Sequence, residues 1–223
     1  MSKTALYQLQ NICKSFPLND GELPVLKNLN LEIEAGLWHA LTGRSGSGKT
    51  TLLHLLAGLD MPTSGKIIFQ GKELTTMKAR KLTALRRTTL GYIFQSYHLF
   101  PELSALENAV MPALHWGVNR AKAYQEAETR LVEFGLKDRL QHRPRELSGG
   151  EQQRVAIARS LVNHPDVILA DEPTGNLDSA AANDIIEILQ RLCTEDSKTI
   201  IMVTHDPRIA KLADRQIELE TSM

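Results

Sequence analysis

Residues 43–51 read GRSGSGKTT and lie between an apolar run, LWHAL, and an amphipathic one, TLLHLLAGL. A strand that runs into a glycine-rich turn opening a helix leaves few fold classes available, because the turn must gather several backbone N–H groups at a helix N-terminus. Gly43, Gly48, Lys49 and Thr50 match the spacing G-x-x-x-x-G-K-[ST], and Arg44, Ser45, Gly46, Ser47 and Thr51 complete the loop. The glycines let successive amides turn inward as a nest, and the helix dipole adds positive potential, so the loop suits phosphate. Lys49 offers a point charge for the outer phosphates, and the Thr50 hydroxyl offers a ligand for Mg2+. The bland alternative is a Gly/Ser turn that merely precedes a helix; the strand and helix on either side argue against it.

The same strand, loop, helix order recurs in DVILADEP before AAANDIIEILQRLC and in TIIMVTHD before RIAKLADR. Such repetition predicts a parallel sheet covered by helices. Two early runs, TALYQLQNI and VLKNLNLEI, alternate with a period of two and have no helix between them, which predicts an antiparallel sheet at the edge of the core. Between the strands expected at 91–94 and 167–170, helical periodicity dominates: SALENAVMPALHW opens with a capping box at Ser104 and Glu107, RAKAYQEAETRLVEFGL follows, and a third helix starts after LSGG. These helices predict a subdomain inserted into an α/β chain.

The 223 residues suffice for a buried core, and Lys plus Arg balance Asp plus Glu at 26 each, so bulk charge gives no reason to expect a nucleic-acid partner. The basic run KARKLTALRR reads as a solvated helix face. Cys13 and Cys193 stand far apart without metal-ligand spacing, which fits a reducing compartment. The N-terminus has no apolar signal core, and no window reaches the roughly 18 to 20 apolar residues of a membrane span. The expectation is a cytoplasmic protein that meets a membrane only through a partner.

Two further stretches carry chemistry. In VILADE, an apolar strand delivers Asp171 and Glu172 to the crevice at the sheet's carboxyl edge, where Asp171 can hold Mg2+ and Glu172 can accept a proton from an attacking water. Two solvated acids at a strand end are the alternative, and the phosphate loop weighs against it. In LSGGEQQR, Ser148 and Glu151 form a capping box. That box does not account for Gly149 and Gly150, which predict close approach of the backbone to an anion.

Taken together, GRSGSGKTT, LSGGEQQR and VILADEP resemble the nucleotide-binding domain of ATP-binding cassette transporters along nearly the whole chain, with LSGGE the most specific of the three. The resemblance implies one α/β domain with a phosphate-loop NTPase parallel-sheet core: residues 1–94 and 165–223 form the core and its antiparallel β subdomain, and 95–164 the helical subdomain. It implies that ATP and Mg2+ bind between two copies stacked head to tail, so that Ser148, Gly149 and Gly150 serve a nucleotide held mainly by the other copy. A single copy is then a poor ATPase. Gln95 matches the glutamine that reaches Mg2+ and water, and His205 the histidine at the γ-phosphate. Asp178 matches the residue that couples the two sites, although it or Ser179 could equally cap the following helix. Phe16 lies near the position that stacks on adenine and could equally be a core residue.

The segment YIFQSYHLFPELSALENAVMPAL and the GNLDS loop are similar to the subgroup that works with lipoprotein-releasing, macrolide-exporting and cell-division-associated membrane subunits. This implies an integral-membrane permease as partner and a peripheral location on the inner face of the cell membrane. The apolar stretch from Phe94 to about Met111 is either a groove for that partner or ordinary subdomain core. The chain's end, RQIELETSM, stops where many relatives continue, so no C-terminal regulatory domain is expected. Two rival readings remain: a nucleic-acid- or ribosome-remodelling ATPase, which would join two cassettes or carry a coiled coil, and a phosphate-loop kinase or GTPase, which would leave LSGGE without a role.

Overall fold

The two period-two runs near the N-terminus pair as antiparallel strands β1 (Ala5–Leu18) and β2 (Gly21–Glu34) in the computed structural model, which describes residues 5–19, 21–114 and 119–220. Tyr7, Leu9 and Ile12 of β1 are buried. The odd spacing from Leu9 to Ile12 is absorbed at Asn11, where φ is 51 and the register shifts, as a bulge requires. Two strands outside the sequence-based expectation, β4 (Ser64–Phe69) and β5 (Lys72–Glu73), complete a four-stranded sheet in the order β2-β1-β4-β5. Glycine, lysine and short length had hidden them.

The second sheet has five parallel strands: β3 (Trp38–Thr42), β6 (Leu90–Ile93), β7 (Val167–Asp171), β8 (Thr199–Val203) and β9 (Arg215–Glu218), in the order β6-β7-β8-β3-β9. Its central strands read as continuous apolar runs because both faces are covered. Ile168, Ala170, Ile200 and Met202 face one apolar cluster, while Val167, Leu169, Ile201 and Val203 face the other. Helix α1 (Lys49–Leu56), α2 (Ala79–Thr88) and the antiparallel sheet contribute to the second cluster. The first is shared with α3 (Ala105–Leu114), α4 (Arg120–Glu133), α5 (Gly149–Leu161) and α6 (Ser179–Thr194).

Three of those helices, α3 to α5, lie between β6 and β7; α3 and α5 begin at the capping boxes expected of them, and α4 begins at an Asn119 cap whose side chain accepts from Lys122 N. Ser104 and Glu107 exchange backbone-to-side-chain bonds at 2.8 and 3.2 Å ahead of α3. The last two residues of SALENAVMPALHW fall outside the described residues. The helix expected over RIAKLADR shortens to one turn, α7 (Pro207–Ala210), set by Pro207 at its start and the Asp206 cap, whose side chain accepts from Arg208 N at 2.8 Å. Among the described residues no helix is long and apolar enough to cross a membrane.

Candidate active site

The phosphate loop connects β3 to α1, so its backbone amides converge on the first turn of that helix. Gly43 (φ 138) and Gly48 (φ 89) occupy conformations that side chains resist. Space forbids a side chain at Gly43, where a Cβ would lie 2.5 Å from the Leu219 carbonyl oxygen, and is tight at Gly48, where one would lie 2.8 Å from Leu26 Cδ2 and 3.2 Å from the Val25 carbonyl oxygen. Lys49 is buried, and its Nζ donates to the Gly43 and Arg44 carbonyls at 2.9 and 2.8 Å. Arg44, Ser45, Gly46 and Thr50 are exposed, and Thr51 is half-buried. Ser47 Oγ is buried without a hydrogen-bond partner. A buried hydroxyl left unpaired beside a nest of amides is what an arriving phosphate group would satisfy.

At the carboxyl edge of β7, Thr50 Oγ1 donates to Asp171 Oδ1 at 3.0 Å, so two oxygens that could ligate a magnesium ion lie together. Burial holds the Asp171 carboxyl above its ordinary range despite that hydrogen bond. A divalent cation at this point would offset the desolvation of the charged form. The residues therefore fit Mg2+ carried by a polyphosphate.

Glu172 follows with φ 44, a left-handed backbone that costs a non-glycine residue roughly 1–3 kcal/mol and persists only where neighbours impose it. Here its N–H donates to Val203 O at 3.1 Å and its carbonyl accepts from Gly175 N at 3.0 Å. The side chain is thereby aimed away from Asp171 and meets two others: Gln95 Nε2 donates to Glu172 Oε2 at 3.3 Å, and His205 Nδ1 lies 3.1 Å from the same oxygen. Two residues from the β6 and β8 ends thus converge on one carboxylate oxygen at the end of β7. Asn176, which the sequence alone did not single out, donates to the Gln95 carbonyl at 3.0 Å. No local pattern marks it, since the contact depends on the parallel pairing of β6 with β7.

Asp178 caps α6, its carboxylate accepting from Ala181 N at 2.9 Å. Ser148 caps α5 through the expected box: its Oγ accepts from Glu151 N at 3.3 Å, and its own N–H donates to Glu151 Oε2 at 2.8 Å. Packing gives Gly149 and Gly150 a second reason to be small, beside the close approach to an anion expected of them. A Cβ at Gly150 would lie 2.9 Å from Ala181 Cβ, and one at Gly149 would lie 3.1 Å from Tyr97 Oη, so α5 already requires small residues where it meets α6 and the loop after β6. In a double-mutant cycle read by urea unfolding, Gly150→Ala and Ala181→Gly should couple by about 0.5–3 kcal/mol. Independent effects would mean that the helices slide apart freely.

Phe16 is 37% exposed on the β1–β2 hairpin, with Lys14 Nζ 4.8 Å from its ring centroid. Its register partner is Leu23, two residues before Val25, which packs on Gly48. The ring is therefore a surface platform beside the phosphate loop and not a core residue. The stretch from Phe94 to Met111 supplies both subdomain core and the lining of an open groove. Ala105, Ala109 and Val110 are core, while Phe94, Phe100 and Met111, with Leu59, line an apolar groove of about 780 Å3 between the sheet edge and α3.

Comparison with known proteins agrees with this geometry. A family described as ABC transporter matches residues 26–175. The lipoprotein-releasing system ATP-binding protein LolD of Idiomarina loihiensis is 48% identical over 95% of this chain and 92% of its own length. The macrolide export ATP-binding/permease protein MacB of Bartonella henselae is 47% identical over 96% of this chain, which spans 32% of that longer protein. Among solved structures, the dimeric ATP-binding cassette MJ0796 in a post-hydrolysis state with ADP and Pi superposes with a TM-score of 0.90 at 37% identity, covering 97% of both chains.

Proposed function

The chain belongs to the ABC transporter family, as its ATP-binding part, and from that premise we propose that it is the ATPase subunit of a lipoprotein-releasing or export complex whose membrane subunit is a separate chain. Its relatives are named for lipoprotein release and macrolide export, and the related cassette is a dimer with ADP and Pi bound. The observation that carries the reading is the convergence of Gln95, Glu172 and His205 beside the Thr50–Asp171 pair at the mouth of the phosphate loop.

In this reading ATP is bound by the amides and side chains of residues 43–51, with Phe16 against the adenine. Bound Mg2+ neutralises phosphate charge, and Thr50, Asp171 and Gln95 are the residues that would hold it. Glu172 orients water and takes its proton, and His205 steadies that carboxylate and faces the γ-phosphate. Ser148, Gly149 and Gly150 complete the site of a second copy, and Asp178 lies in the loop linking the two sites. Residues 95–164 act as the helical subdomain that moves these groups against the core. Hydrolysis removes the phosphate that both copies hold, so the copies part.

The apolar groove is the docking place for a short helix of the membrane subunit, with Leu59 and Phe100 each 49% exposed in it. Through that partner the subunit sits on the inner face of the cell membrane. Leu59→Glu and Phe100→Glu should each cut at least tenfold the multi-span membrane subunit recovered with the tagged protein, because a buried unpaired carboxylate opposes docking. Undiminished recovery of that subunit from both variants would remove the groove from the interface.

A further inference from the structure

Immediately after β6 the chain turns through two consecutive left-handed residues that are not glycine, Tyr97 (φ 58) and His98 (φ 49). Side chains disfavour this backbone, and two in succession call for an external restraint. Local bonds from Tyr97 N to Phe94 O at 3.4 Å and from His98 N to Ser96 O at 2.5 Å hold the turn from within, and one guanidinium holds it from another element: Arg159 Nη2 donates to the Tyr97 carbonyl at 2.6 Å, and Nη1 to the His98 carbonyl at 2.5 Å. Arg159 is on α5, whose N-terminus carries Ser148, Gly149 and Gly150. Burial draws its pKa below the ordinary arginine value, yet a guanidinium keeps its proton, so the charge is held among the carbonyls it bonds. The planar fork reaches both carbonyls at once, which an ammonium on a shorter stem does not reproduce.

What the turn positions is Gln95. Its carbonyl is held by Asn176 from the loop after β7, and two residues later the chain is held by Arg159, so the Gln95 backbone is held on both sides of the point from which its Nε2 reaches Glu172. The Tyr97 hydroxyl comes within 3.1 Å of where a Gly149 Cβ would lie, so the same turn abuts the start of α5. Arg159 also lines the apolar groove together with Phe94 and Phe100.

We propose that Arg159 is a positioning residue for hydrolysis: it holds the left-handed turn at Tyr97 and His98 and thereby sets Gln95 against Glu172, tying the α5 helix to the catalytic carboxylate. The proposal rests on the reading of Gln95 as part of the hydrolytic site. Displacing a positioned group by about 1 Å is enough to cost roughly 100-fold in rate.

The test is steady-state ATPase kinetics on the full-length chain carrying Arg159→Lys, Arg159→Gln, Gln95→Ala and the Gln95→Ala combinations, with ATP affinity measured separately by equilibrium binding. Arg159→Lys and Arg159→Gln should lower kcat by about 10- to 100-fold with ATP affinity unchanged, and neither should lower kcat further once Gln95 is alanine. His98→Gly should return part of the kcat lost in Arg159→Lys, because glycine adopts the left-handed turn without restraint. Multiplicative losses in the double variants, or loss of ATP binding in parallel with kcat, would assign Arg159 to general stability and overturn the proposal. A normal kcat in Gln95→Ala alone would instead overturn the reading of Gln95 on which it stands.

Discussion

Glu172→Gln will slow ATP turnover by roughly 100- to 10,000-fold while leaving nucleotide binding intact, and the protein will accumulate as an ATP-bound dimer. The geometry separates the two effects. In the proposed site phosphate is gathered by residues 43–51, whereas among the described residues the Glu172 side chain bonds to Gln95 and His205, so an amide there disturbs no group of the loop. Chemically the change is complete, because an amide of the same volume cannot accept the proton that water must lose. It also brings a second donor towards Gln95 Nε2, which already donates to Glu172 Oε2 at 3.3 Å, so the amide oxygen must take that place and its nitrogen must turn aside. With the γ-phosphate never removed, the contact that holds two copies together persists. Phosphate release assays and size-exclusion chromatography with ATP and Mg2+ read both halves; turnover within a few-fold of the parent, or a monomer at saturating ATP, would remove Glu172 from the role of base.

Those parts of the molecule whose cause is local were legible in the sequence. The strand before Gly43 and the helix from Lys49 are written in one continuous stretch, as are the capping boxes at Ser104 and Ser148. The acids at the end of β7 could be placed because a run of apolar residues buried on both faces has one orientation in a parallel sheet. What escaped was set by partners far along the chain. Gly150 packs closely against Ala181 on α6, a contact no pattern near residue 150 reveals. Arg159 reads as one more polar position on an amphipathic helix until its fork is seen on the carbonyls of Tyr97 and His98. The strands β5 and β9 are short segments with mostly exposed side chains, so neither alternation nor an apolar run marks them, while β4 opens on exposed Ser64, Gly65 and Lys66 and only its last three residues, Ile67 to Phe69, carry an apolar signal.

Lys49→Ala and Ser148→Arg, each inactive when purified alone, will regain activity when mixed. In a two-fold dimer stacked head to tail, each site takes its phosphate loop from one copy and its LSGG segment from the other, so there are two equivalent sites. A mixed pair has one site with both Lys49 and Ser148 intact and one with neither. Half the dimers in an equal mixture are of this kind, which returns up to about a quarter of parental turnover. The structure gives the competing account a definite form: Ser148 caps α5, and losing that cap costs about 0.5–2 kcal/mol within one chain. Were capping its only role, Ser148→Arg would be a destabilised but active protein, and mixing would add nothing. The reverse experiment separates the accounts further. A chain carrying both substitutions, mixed equally with the parent, forms mixed dimers in which each site has lost either its lysine or its serine, so only the quarter of dimers made of two parental chains turn over, about half of what the same amount of parent gives alone. The same two changes then restore activity when carried on separate chains and remove it when carried on one, a contrast that a site complete within a single chain cannot produce.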